Sequence, residues 1–264
     1  MKPMILFRMI LWLLCLAPVP AEAQAQRNIR FGKPDGARPY VTDNADDWHI
    51  SRPQYVLSHN ATKGHANWVS WNLRKADLGD VARGEFEVDD ALPIKPRVSA
   101  SWYANTGFDI GHLCPSKDRS ATRADNDATF LMSNVVPQAP VCNEQTWNGF
   151  ESYCRKLAGE GRDLHIVAGP SGTRGHGKLG WANSISMRRI NVPAYLWKVV
   201  IVLPNHTAKP DKSTRVIAAI VPNTETVHHD WMTYKCSTAH AEEVSMLKLF
   251  PDAEIDREKI DKEP

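Results

Sequence analysis

Apolar and polar side chains alternate from Trp68 to Leu73, with Val69, Trp71 and Leu73 on one face and Trp68, Ser70 and Asn72 on the other. A period of two predicts a strand. Tyr55-Val-Leu predicts another, and Leu164 to Ala168 is a buried strand that stops at Gly169-Pro170. Tyr195–Leu203 and Thr214–Val221 are apolar, β-branched runs, each closed by Pro-Asn. From Asn143 to Leu157 the period lengthens to that of a helix, with Phe150, Cys154 and Leu157 on its apolar face. Asn143, Trp147, Glu151 and Arg155 are spaced by four and form one slanting stripe beside that face. Residues 239–249 predict a last helix. Residues 24–50 are polar and rich in Gly, Pro and Asp, the composition of an arm or loop, and 77–107 read as irregular. Strands and helices do not alternate regularly, so the expected class is α+β rather than a doubly wound sheet. No internal repeat is present.

One apolar run stands apart. Lys2 and Arg8 flank Met9–Leu16, the run continues to Ala21, and Ala21-Glu22-Ala23 offers a small-x-small cleavage pattern. This is the pattern of a secretory signal peptide over residues 1–23, and it is short for a membrane span. The expected organisation is that signal, an N-terminal arm at 24–50, one catalytic domain at 51–250 and an acidic C-terminal tail at 251–264. The expected location is periplasmic or secreted, with no membrane partner.

Charge sharpens this picture only locally. Without residues 1–23 the chain carries 30 basic and 29 acidic residues, so net charge announces no polyanion binder. Ser152–Arg215, however, holds 11 Lys and Arg against 3 Asp and Glu, while His240–Pro264 holds 4 against 8. A basic middle suits one face that meets phosphates, but taken alone it is better read as an ordinary solvated surface. Cys114, Cys142, Cys154 and Cys236 remain after cleavage, and an even count in an exported chain predicts disulfides. Cys142 and Cys154 bracket one helix and lie beyond each other's reach, which leaves two complete pairings, with free thiols also open.

Three segments carry the chemistry: Phe108-Asp-Ile-Gly-His-Leu-Cys-Pro-Ser-Lys-Asp-Arg119, Phe130-Leu-Met-Ser-Asn-Val-Val-Pro-Gln138, and Cys142-Asn-Glu-Gln-Thr-Trp-Asn-Gly-Phe-Glu-Ser-Tyr-Cys-Arg155. In that order they resemble the DNA/RNA non-specific endonuclease family, whose signature is Asp-Arg-Gly-His, then Ser-Asn-x-x-Pro-Gln, then Asn-x-x-x-Trp-x-x-x-Glu. The matching positions are Asp109 to His112, Ser133 to Gln138, and Asn143, Trp147 and Glu151. The resemblance spans roughly 55–225. It implies a ββα-metal (His-Me finger) fold, a central mostly antiparallel sheet flanked by helices, and a hydrolase that cuts both DNA and RNA.

The resemblance also assigns roles. His112 is the general base, and an imidazole suits deprotonation of water near neutral pH. Asn143 is the one direct protein ligand of Mg²⁺, a hard cation that keeps most of its waters; Mn²⁺ is the alternative. Glu151 holds a metal-bound water, and Arg155 supports the scissile phosphate. Asp109, Arg119 and Asn134 are the candidate substrate-binding residues. The residues alone leave other roles open: Asn143 as a helix cap, Asp109 as organiser of its turn, Arg155 as a solvated helix arginine. The chain departs from the signature at Ile110, where the family's usual arginine would clamp a phosphate. Arg119 and Arg155 are the candidates to compensate. The same departure motivates an alternative function, a nucleic-acid-binding protein of this fold with weak or absent catalysis.

Gly175-His-Gly-Lys-Leu-Gly180 fits GxGxxG, but no helix-forming segment follows it, so a dinucleotide site is not expected. Arg174, His176 and Lys178 in that loop are weak candidates for backbone contacts. His228-His229-Asp230 reads as a surface turn.

Overall fold

The computed structural model describes residues 21–39, 45–92 and 97–263. The signal-peptide expectation lies outside these, except for its last three residues. In chain order the elements are α1 (Ala21–Asn28), β1 (Trp48–Ser51), β2 (Val56–Asn60), β3 (His65–Leu73), β4 (Asp109–His112), α2 (Arg123–Thr129) and β5 (Val135–Gln138). There follow α3 (Asn148–Gly159), β6 (Asp163–Ser171), β7 (Gly175–Gly177), β8 (Gly180–Ala182), β9 (Ser184–Ile185) and β10 (Ile190–Asn191). The chain closes with β11 (Tyr195–Leu203), β12 (Arg215–Pro222), β13 (Lys235–Cys236) and α4 (Thr238–Ser245). Among the described residues, no helix is long and apolar enough to cross a membrane.

Seven strands form one sheet in the order β1-β2-β3-β6-β11-β12-β13, and every neighbouring pair is antiparallel. Both faces are buried, because the alternating rows of each strand feed two different cores. Val69, Trp71 and Leu73 of β3 join Leu164, Ile166 and Ala168 of β6 and Leu196, Val200 and Val202 of β11 under the α3 face. The opposite row, Trp68, Val167, Trp197, Val199 and Ile201, packs with Ala25, Phe31, Ala241 and Phe250. Burial on both sides explains why the central strands read as nearly continuous apolar runs.

Three expectations need correction. The described residues of 24–50 are not a loose arm. Asn28 accepts from Ser70 Oγ, Phe31 and Ala37 are buried, and Trp48–Ser51 forms the sheet's edge strand. The acidic segment expected at 251–264 is likewise strapped down over its described residues, 251–263: Ala253 and Ile255 are buried, and Asp261 pairs with Arg215 at 2.9 Å and Lys235 at 3.0 Å. The four cysteines are all free. Cys114, Cys142 and Cys154 serve as small apolar residues in the α3-side core. Burial holds their thiols protonated, pushing those of Cys142 and Cys154 up to about 12.

Candidate active site

β4 and β5 pair as an antiparallel hairpin, with Asp109 opposite Gln138 and His112 opposite Val135. A helix follows directly over 140–159, giving two strands and a helix around one cleft. Gly111 is required by this hairpin. A Cβ there would overlap Cγ and Cδ of Gln138 and lie 2.6 Å from its Oε1. Gln138 in turn donates to the His112 carbonyl at 3.4 Å.

His112 is 8% exposed and held between Phe86, at 5.1 Å between ring centroids, and Phe130, at 4.9 Å edge-on. Its Nε2 has no hydrogen-bond partner. Burial, reinforced by the positive charge of Arg83, pushes its pKa down to about 3, so the imidazole is neutral at pH 7.

The helix departs from the regular stripe. Cys142–Trp147 is a π turn, in which the Asn148 N–H reaches back to the Asn143 carbonyl. One extra residue in that turn places Asn143, Asn148 and Glu151 on the cleft, while Trp147 goes into the core at 1% exposure. Asn143 is therefore inside the helix and does not cap it. Its Nδ2 donates to Asp109 Oδ2 at 2.9 Å, so the amide oxygen is the end left for a cation. Asp109 orients Asn143 rather than His112. The cleft has a volume of about 270 Å³, and Arg83, Ile110, His112, Lys117, Asn143 and Glu151 are among its lining residues.

Glu151 is buried beside this cleft, and burial raises its carboxyl to about 7 against the pull of Lys198 and Arg155. Arg155 donates to Asp118 Oδ1 at 3.1 Å and Ser152 Oγ at 2.8 Å, and lies 3.8 Å from Glu151 Oε2. It lines the adjoining groove with Arg83, Ser116 and Lys117.

Two sequence candidates lie outside the cleft. Arg119 is 5% exposed and spends its guanidinium on the carbonyls of Gln54, Asn72 and Asp118, near Asp77 at 3.6 Å. It fastens β3 to the segment after His112 and has no donor left for a phosphate. Asn134 is fully buried; its amide donates to the carbonyls of Cys114 and Thr129 and accepts from the Cys114 N–H. Both are structural pins.

Sequence reasoning missed Arg83, Lys117 and Asn148. Arg83 is exposed, lines both the cleft and the groove, and has no carboxylate partner among the described residues. Its guanidinium sits 5.4 Å over the Phe130 ring that also touches His112. It supplies a free guanidinium beside Ile110. The GxGxxG segment is the β7–β8 hairpin, with His176 paired to Trp181, which removes a dinucleotide site of the strand-to-helix kind.

Residues 36–254 match the family model described as DNA/RNA non-specific endonuclease. A nuclease of a Nostoc species is 40% identical over 223 residues, covering 83% of this chain and 78% of that protein. Human mitochondrial endonuclease G is 32% identical over 158 residues, covering 57% of this chain and 53% of that protein. A solved EndoG/EndoGI complex, titled for the mechanism of EndoG inhibition, contains a chain of like fold. The TM-score is 0.68 at 19% identity, covering 87% of this chain and 92% of that one. With most of its length matched, this chain belongs to the DNA/RNA non-specific endonuclease family, hydrolases that act on nucleic acids.

Proposed function

We propose that the chain is a Mg²⁺-dependent endonuclease, with Mn²⁺ as a substitute, that hydrolyses DNA and RNA with His112 as general base. One observation carries this reading: a neutral imidazole with an unpartnered Nε2 shares a cleft with an amide whose orientation Asp109 fixes. The donors suit the cation. Asn143 Oδ1 is a hard oxygen, Glu151 stands on the same helix, and no group of three His, Cys, Asp or Glu side chains is built to hold a metal among the described residues. Such a site keeps most of the cation's water, as Mg²⁺ prefers. When bound, the ion supplies Lewis-acid charge for the phosphate and the leaving oxygen.

The chain's own residues do the rest. His112 Nε2 takes a proton from water. A pKa near 3 is low for this task in the free protein. The phosphodiester anion raises it on entry, because it neutralises Arg83 and adds negative charge near the ring. Arg83 binds a phosphate oxygen in place of the arginine that Ile110 lacks. Glu151, when ionised, would accept from water held near a cation on Asn143. Arg155, anchored on Asp118, holds Glu151 in place. Guanidinium, ammonium and amide groups line the cleft, chemistry that reads phosphate rather than base edges, which supports indifference to sugar and sequence. With Arg83 present, catalysis is favoured over the binding-only alternative.

Purified protein incubated with plasmid and with RNA, in Mg²⁺ and in EDTA, tests the reading. Internal cuts in both substrates are expected in Mg²⁺ only. Binding without cutting at any metal concentration would reject it. We also propose export through residues 1–23, for which N-terminal sequencing of the mature protein from periplasm or medium is the test. A mature chain that still begins at Met1 would reject it.

A further inference from the structure

Lys198 is the one charged residue in the nine-residue strand β11. It stands in the row of Leu196, Val200 and Val202, which faces the α3-side core. Its side chain is 1% exposed. The ammonium sits 4.1 Å from the Trp147 ring centroid, 5.2 Å from Phe150 and 5.9 Å from Trp71. Among the described residues its one carboxylate partner is Glu151, with Oε1 at 4.0 Å.

A buried ammonium costs several kcal/mol unless its surroundings compensate, and an apolar residue of similar size would fill the same space without that cost. Three ring faces and one carboxylate compensate here. The charge therefore stands where stability alone would place a methionine, and the anion it faces belongs to the cleft. Other groups also face Glu151. Arg155 on its own helix is shared with Asp118 and Ser152; Asp118 and Lys117 approach from the turn after His112. The Cys114 and Cys154 thiols are protonated. Lys198 is the buried cation that Glu151 does not share with a second carboxylate; Lys117 is exposed to solvent.

We propose that Lys198 is a positioning residue for hydrolysis, its caged ammonium drawing the Glu151 carboxylate into the rotamer that lines the cleft and opposing the burial around it. This rests on the role given to Glu151 above. Without Lys198, burial has one fewer opposing charge, the proton that Glu151 holds about half the time at pH 7 stays on, and the carboxylate is mostly lost there.

The test uses the full-length mature protein as Lys198→Met, Lys198→Arg, Glu151→Gln and the Lys198→Met/Glu151→Gln double variant. Carboxyl ¹³C NMR of the metal-free protein reads the Glu151 titration directly, and kcat/KM is measured from pH 5.5 to 9. In Lys198→Met, Glu151 is expected to titrate at least one pH unit higher than in wild type. The acid limb of kcat/KM moves up equally, so from a wild-type value of about 7 the activity at pH 7 falls about fivefold, nears a tenfold loss by about pH 6, and recovers at alkaline pH. Lys198→Arg keeps the charge and most of the wild-type titration. In the Glu151→Gln background, Lys198→Met costs nothing further. An unmoved Glu151 titration, or an equal loss at every pH and in both backgrounds, overturns the proposal. Should Lys198→Met fail to fold, a Glu151 titration in Lys198→Arg shifted as far as that in Lys198→Gln would overturn it as well. Wild-type activity in Glu151→Gln would instead reject the role of Glu151. The metal-free titration separates that failure from this one.

Discussion

Replacing Gly111 by alanine places a methyl group inside the β4–β5 hairpin, one residue before His112. The new Cβ would overlap Cγ and Cδ of Gln138 and approach its Oε1 to 2.6 Å, and Gln138 is fully buried. The side chain has no open solvent to swing into, so the hairpin itself must shift. Overpacking of this kind costs about 1–3 kcal/mol. For a chain of this size, ~2 kcal/mol corresponds to a fall in Tm of roughly 4–8 °C. The catalytic cost is separable. Gln138 donates to the His112 carbonyl, and a displacement of the base by about 1 Å costs on the order of 100-fold in rate. Thermal and urea unfolding measure the first effect, and single-turnover cleavage of a defined duplex measures the second. Removing the obstacle with Gln138→Ala should restore much of what Gly111→Ala loses, giving a favourable interaction in a double-mutant cycle. Wild-type stability and rate in Gly111→Ala, or strictly additive losses in the double variant, would refute this account of the hairpin.

Asp109→Ala and Asn143→Ala should both raise the Mg²⁺ concentration needed for half-maximal cutting, Asn143→Ala more, and unchanged titrations would reject the Asp109–Asn143 pair as the cation's seat. Arg83→Met should lower kcat/KM about 100-fold with unchanged Tm, whereas Arg119→Met should lower Tm by several degrees through unpaired carbonyls. Ile110→Arg, which adds a second guanidinium beside Arg83, should raise kcat/KM at low ionic strength, and an unaltered salt dependence would count against it. His59 and His65 are pushed down to about 4 and His112 and His165 to about 3 by burial, so each is neutral when folded and binds a proton on unfolding below about 6.5. Their stabilisation is fully present above pH 6.5 and fades as pH falls towards 4–3, by up to ~1.4 kcal/mol per group per pH unit. Glu151, raised to about 7, acts in the opposite sense and loses its contribution as pH rises through that value. Urea midpoints at pH 7 and 5 should differ clearly in favour of pH 7.

The sheet's central strands were legible because continuous β-branched runs survive burial on two faces, and Tyr195–Leu203 matches β11 residue for residue. The hairpin carrying His112 was legible only through its motif, since Asp-Ile-Gly-His holds no alternation. The π turn was not legible: one inserted residue shifts the phase between Asn143 and Asn148 without changing composition. Arg119 and Asn134 misled because proximity to the motif suggested phosphate contacts, while the carbonyls that consume their donors come from distant parts of the chain. Arg83 stood in an irregular stretch with no periodicity to mark it, and chain folding alone brings it to Phe130. Lys198 was passed over although it is a lone charge in an apolar row, and the sequence alone does not name Glu151 as its partner.

The central claim is that His112 is the base. The most direct measurement is single-turnover cleavage of plasmid and RNA by His112→Ala in Mg²⁺, with and without added imidazole. General-base catalysis contributes about 10²–10⁴-fold, so a loss of that size is expected, with partial rescue by imidazole that follows its neutral fraction. A folded His112→Ala protein that cuts both substrates at the wild-type rate would contradict the account.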